Sequence, residues 1–150
     1  MTAGSRFNDG LTMKNLATPL PMRIYYEDTD FSGFVYHARY LHFFERGRTE
    51  FLRDLGINQH AMFSAPGGPF AFVVRAMSIE YRSPARMDDL VNVITKLTEI
   101  GAARLLLNQE LVRDQTLLCS ARVEIVHLAG GKPRRIPADL AQRLALLGKH

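Results

Sequence analysis

The stretch "YYEDTDFSGFVYHARYLHFFERGRTEFLRDLG", residues 25–56, decides how this chain folds. It sets Glu27, Asp28 and Asp30 within four positions, then Gly33, then His37, and then a greasy helical run. Tyr40, Leu41, Phe44, Phe51, Leu52 and Leu55 recur at three- and four-residue steps, with Arg39, Arg46, Arg53 and Asp54 between them. That spacing predicts an amphipathic helix over 38–55, closed by Gly56 at its C-cap. Gly47 falls inside it at a cost of about 1 kcal/mol against alanine, which close approach to another backbone would explain.

Outward from this stretch the chain reads as strands. "MRIYYE" (22–27) is strand-like, and the acids follow where it ends. "NQHAMFSAPGGPF" (58–70) reads as a loop with turn chemistry at "APGGP". Strands are expected over 70–82, 90–100, 102–114 and 117–128, with breaks at "SPARMDD" and Gly101. "PADLAQRLALLG" predicts a short terminal helix with proline at its start. One long helix must bury its apolar stripe, and a mostly antiparallel sheet is the surface on offer. The expected architecture is therefore α+β, a sheet wrapped around a single central helix. Residues 1–21 are small, polar and aperiodic and read as an N-terminal arm; residues 22–150 form one domain, as the length of 150 residues suggests.

Composition narrows the function classes. Nineteen basic against 15 acidic residues give a net charge of +4, with the cations spread along the chain. The balance suits an anionic ligand, but there is no Cys/His finger spacing and no aromatic RNP-like strand to point to nucleic acid. The lone cysteine, Cys119, sits in the apolar run "LLCSARVEIVHL" and reads as a buried structural thiol in a reducing compartment. Neither a secretory signal nor a membrane span is visible, so a cytoplasmic location is expected.

The acidic turn admits three readings. "DTDFSG" opens like an EF-hand loop, but its twelfth position is Arg39 where a bidentate glutamate belongs, which argues against calcium. Alternatively, Asp28 and Asp30 are turn formers that accept hydrogen bonds from nearby backbone N–H groups. The third reading is catalysis by one carboxylate beside a helix N-terminus, whose unpaired N–H groups polarise a bound carbonyl. Phe31, Phe34, Val35 and Tyr36 around Asp30 and His37 would then strip water from the carboxylate and raise its pKa. Glu45, in "FFERGR", pairs with Arg46 or Arg48 on the helix surface, or completes the site from within.

The same segment resembles the signature of the hotdog-fold thioesterases: Tyr, Asp-Thr-Asp, Gly, Val-Tyr-His, Tyr and Phe-Glu-Arg, in order. It is most similar to the Tol–Pal-associated acyl-CoA thioesterase branch, related to 4-hydroxybenzoyl-CoA thioesterase, and the resemblance extends over about residues 22–137. It implies a long helix, 38–55, wrapped by a five-stranded antiparallel sheet. Such domains pair into dimers with sites at the subunit interface and often stack into homotetramers. On this likeness Asp30 is the catalytic carboxylate, as nucleophile or as general base on water. His37 orients substrate or water while its N–H polarises the thioester carbonyl, and Tyr26 shapes the site.

The implied substrate is acyl-CoA, or an acyl thioester on a carrier protein, with no metal or other cofactor. Arg82, Arg86, Arg104, Arg134 and Arg135 are the candidates for the CoA phosphates, together with Lys132. Phe34, Tyr40, Phe44, Phe63 and Phe70 line an acyl pocket or belong to the core. Two alternatives stay open on the same fold: a noncatalytic acyl-binding or scaffold protein, and a hydratase or dehydratase.

Overall fold

The computed structural model describes residues 19–148. Residues 1–18 of the expected arm lie outside them. Element order is β1 (Leu20–Arg23), a 3-10 turn (Tyr26–Asp28), α1 (Arg39–Asp54), α2 (Gln59–Ser64), β2 (Phe70–Tyr81), β3 (Leu90–Ile100), β4 (Arg104–Arg113), β5 (Thr116–Ala129), β6 (Lys132–Pro133) and α3 (Ala138–Gly148). The strands run in the order β1-β3-β4-β5-β2, every neighbour antiparallel, with the two-residue β6 alongside β5. This is the α+β architecture expected: a sheet laid around one long helix.

The long helix and the four long strands fall within two residues of their expected bounds. Two segments differ. The first strand starts at Leu20 and ends at Arg23, and Tyr26–Asp28 tightens into the 3-10 turn. The cause is local: the Asp28 carboxylate accepts the Tyr25 N–H at 2.8 Å, folding the backbone back before a longer strand can form. The 58–70 segment is not all loop, because Gln59–Ser64 is helical. Asn58 caps it by accepting the Ala61 N–H at 3.0 Å, a signal that the sequence carried.

The helix α1 packs on β3 and β4. Phe43, Phe44 and Leu52 share one buried core with Val93, Leu105 and Leu107. The buried stripe is shifted from the expected one: Phe43 is inside and Leu41 outside. At the C-terminus Gly56 takes φ +83°, so the Ile57 N–H reaches the Leu52 carbonyl at 2.9 Å. A left-handed residue is what this helix ending needs, and glycine supplies it without strain.

Gly47 marks the closest approach. A Cβ built there would stand 2.5 Å from Val93 Cγ1, 3.0 Å from Gln109 Nε2 and 3.1 Å from Thr95 Oγ1. Gln109 is fully buried and ties helix to sheet: its Nε2 donates to the Phe44 carbonyl and to Thr95 Oγ1, both at 2.9 Å. Its Oε1 accepts from Arg48 at 3.1 Å. Arg48 is thus drawn inward rather than left on the helix surface, and desolvation lowers its pKa.

Cys119 is buried opposite Tyr81 and Leu111. Burial pushes its thiol up to about 12, so the thiolate that reacts is scarce at neutral pH.

Two measurements check this packing. Gly47→Ala is expected to lose about 1–3 kcal/mol of stability, the usual cost of overpacking, in a urea titration; an unchanged midpoint would contradict the close contact. Ellman's reagent is expected to leave the native thiol unmodified and to titrate it after denaturation.

Candidate active site

The acidic turn is a clipped loop. The Asp30 N–H donates to the Phe34 carbonyl at 2.9 Å and the Gly33 N–H to the Asp30 carbonyl at 3.0 Å. Val35 donates to the Ala85 carbonyl at 2.9 Å, and Phe34 bridges Arg86, fastening the loop to the segment between β2 and β3. Gly33 holds φ +87° at the bend.

The two aspartates have different tasks. Asp28 is buried, and its second carboxylate oxygen accepts the Arg39 Nε–H at 2.6 Å. Arg39 also reaches Glu27 at 3.1 Å. Asp28 thereby joins the turn to the first residue of α1, which is a structural assignment. Asp30 is exposed at the mouth of the loop. One of its oxygens accepts both the N–H and the hydroxyl of Ser32; the other accepts no hydrogen bond from another described residue.

The sequence led us to expect a raised pKa at Asp30. The structure reverses the direction. The Ser32 hydroxyl bond is the largest cause holding the carboxyl below the ordinary range, followed by the Ser32 N–H; slight desolvation opposes them, and His37 adds a smaller downward pull. The expected aromatic shield is absent because Phe31 turns fully outward and Tyr36 is half exposed.

Asp30 and His37 line one cleft of about 390 Å³ with Phe34, Tyr40, Tyr81 and Arg82. The cleft sits at the N-terminal end of α1. There the N–H groups of His37 and Ala38 have no acceptor among the described residues, while Arg39 donates to the Tyr36 carbonyl at 2.8 Å. Unpaired N–H groups at a helix start carry partial positive charge and favour an oxyanion. The arrangement therefore offers an ionised carboxylate, an imidazole and the unpaired His37 N–H at one opening.

Tyr26 is not brought there. It lies in the 3-10 turn, not in a strand, 81% exposed as a residue and outside those lining the cleft. The arginines divide into two groups. Arg82 lines the cleft and pairs with Glu80 at 3.2 Å, and the Arg86 guanidinium lies over the Phe34 ring at 5.1 Å. Arg104 belongs to the far end of the sheet, paired with Glu99 at 2.9 Å. Arg134 is held there too, its N–H donating to the His127 carbonyl at 3.0 Å, with Arg135 beside it. Tyr81 stands opposite Cys119 and Arg104 opposite Val126, so about 23 Å of β5 separates the two groups. Of the expected pocket aromatics, Phe34 and Tyr40 line the cleft, Phe44 is core, Phe63 is exposed, and Phe70 lines a separate groove. Sequence reasoning missed Ser32 and Tyr81; an Asp-x-Ser turn signal was present for the first, and nothing local marked the second.

A family model described as the thioesterase-like superfamily matches residues 25–144. The acyl-CoA thioesterase YbgC of Haemophilus influenzae is 44% identical over 122 residues, which is 80% of this chain and 88% of that protein. The acyl-CoA thioester hydrolase YbgC of Escherichia coli O6:H1 is 42% identical over 123 residues, covering 80% and 90%. Among solved structures, a probable thioesterase from Bartonella henselae is 45% identical, with a TM-score of 0.78, and covers 81% of this chain and 99% of that one.

Ser32→Ala is expected to move the Asp30 pKa up toward the ordinary carboxylate value, read by following the side-chain carboxyl carbon through an NMR titration. An unmoved titration would mean that Ser32 does not set it.

Proposed function

The chain belongs to the thioesterase-like superfamily, and from that membership we propose an acyl-CoA thioesterase that works through the Asp30–His37 cleft. The observation that carries the assignment is a carboxylate with one oxygen unengaged and an imidazole beside an unpaired N–H at the helix start. Hydrolysis converts acyl-S-CoA and water to the free acid and CoA thiol. The thioester carbonyl oxygen lies toward the His37 N–H, so negative charge developing on it meets donors already aimed. Asp30 then attacks the carbonyl carbon or takes the proton of an attacking water. Both roles need the ionised form, and the Ser32 bonds secure it down to acidic pH. The imidazole of His37 orients the reacting group. No step in this scheme requires Tyr26.

Arg82 and Arg86 stand at the cleft and are assigned the anionic end of CoA. Arg104, Arg134 and Arg135 serve only a site to which a second copy brings them. A second copy also suits β2, which pairs with β5 on one side and, among the described residues, pairs with no strand on the other. Val73 and Val74 on it are 41% and 45% exposed, and α1 lies over β3 and β4 instead. Such an edge is a pairing template, and we assign it to the contact between copies in a homo-oligomer. Among the described residues no helix is long and apolar enough to cross a membrane. The single buried cysteine fits a reducing compartment, and we place the enzyme in the cytoplasm.

Thiol release from short aliphatic, long aliphatic and aromatic acyl-CoAs tests the assignment. Asp30→Asn is expected to reduce turnover about 10²–10⁴-fold without loss of fold or assembly. In the wild type, activity should persist as pH falls until it passes below the ordinary carboxylate range, because the pKa is lowered and the active form is the deprotonated one. Equal rates from both proteins across the panel would remove Asp30 from the mechanism.

A further inference from the structure

Tyr81 closes β2 at the lip of the cleft, and the chemistry above gives it no task. Its hydroxyl donates to the His37 carbonyl at 2.7 Å. Its ring meets the His37 ring edge-on at 6.5 Å and the Tyr40 ring at 5.3 Å. Tyr40 is held in turn, its hydroxyl accepting the Ala85 N–H at 3.1 Å.

The carbonyl that Tyr81 holds is the one a regular helix would offer to the Leu41 N–H, four residues on. Here the Leu41 N–H goes to the Ala38 carbonyl instead, at 3.2 Å. The regular helix begins only at Arg39, and the N–H groups of His37 and Ala38 are left free. A peptide unit is planar and trans, so its C=O and N–H point in opposite directions. With the His37 carbonyl turned to Tyr81, the Ala38 N–H points away from that ring, and Ala38 is not among the residues lining the cleft; the His37 N–H is the donor left there.

We propose that Tyr81 is a positioning residue: by anchoring the His37 carbonyl it fixes the backbone of His37, and with it the aim of the His37 N–H at the thioester oxyanion. The inference deepens the thioesterase reading and rests on it. Tyr81 touches no reacting atom; it acts through the backbone of its neighbour. Donors fixed in advance do not have to reorganise as charge develops, which is where such groups gain their effect. The anchor comes from β2, so the start of α1 is set by the sheet edge as well as by its own sequence.

The test compares wild type, Tyr81→Phe and Asp30→Asn on the same acyl-CoA. Phenylalanine keeps the ring against Tyr40 and removes only the hydroxyl. Turnover is expected to fall about ten- to a hundredfold, the scale of a small misplacement of catalytic groups. KM and the acidic limb of the pH profile should keep their wild-type values, because phenylalanine keeps the ring that lines the cleft and the lost hydroxyl does not titrate there. An unchanged kcat, or a loss confined to KM, overturns the proposal; if Asp30→Asn still collapses, the thioesterase reading survives that failure. A wild type inert toward every acyl-CoA overturns both. Should Tyr81→Phe not fold, 3-fluorotyrosine at position 81 takes its place: a stronger donor should raise kcat, and an unchanged value overturns the proposal.

Discussion

The contact between α1 and the sheet at Gly47 sets the position of everything else in the molecule. With no side chain at that point, the helix backbone settles within van der Waals reach of Val93 and Thr95. Gln109 then crosses the gap and bonds the Phe44 carbonyl from below. A buried amide is costly unless each of its groups finds a partner, and this one uses both Thr95 and Arg48 to that end. The helix is thereby held in depth by a missing Cβ and in register by a satisfied polar hub.

That constraint is felt at the helix's far end. With its middle pinned over β3 and β4, α1 points its N-terminus at the loop between β2 and β3. The acidic turn is stitched to the same loop through Val35, Ala85 and Arg86, so carboxylate and helix start share one rigid frame. Asp28 and Arg39 lock the hinge between them. The neighbouring aspartates thus divide labour by environment: one buried and paired as a joint, the other at the surface with an oxygen to spare.

Likeness to solved hotdog thioesterases extends over most of the chain, and the individual features fit that frame. The candidate site is assembled from a turn, a helix terminus and a strand end, each from a different part of the sheet's wrapping. None of the three would hold its geometry alone. A free helix N-terminus needs the sheet to keep it open, and the turn needs the β2–β3 loop to fasten it.

Periodicity alone determined the helix and the long strands, because an apolar stripe at 3.6 residues and alternation at two are written locally. Gly47 and Gly56 announced a close approach and a left-handed cap for the same reason: only a residue without Cβ fits either position. The Asp-Thr-Asp turn and His37 were legible as a candidate site from residue types and order. What tertiary structure decided was whatever depends on partners distant in sequence. Arg48 looks like a surface charge until Gln109, 61 residues away, draws it inside. Asp30 looks shielded by aromatics until the fold turns Phe31 to solvent, so Ser32 and not desolvation governs its acidity. Tyr81 gave no local sign, because its part in the site is one hydrogen bond spanning 44 residues. Such long-range pairs are fixed by sheet register and helix docking, which no short window of sequence contains.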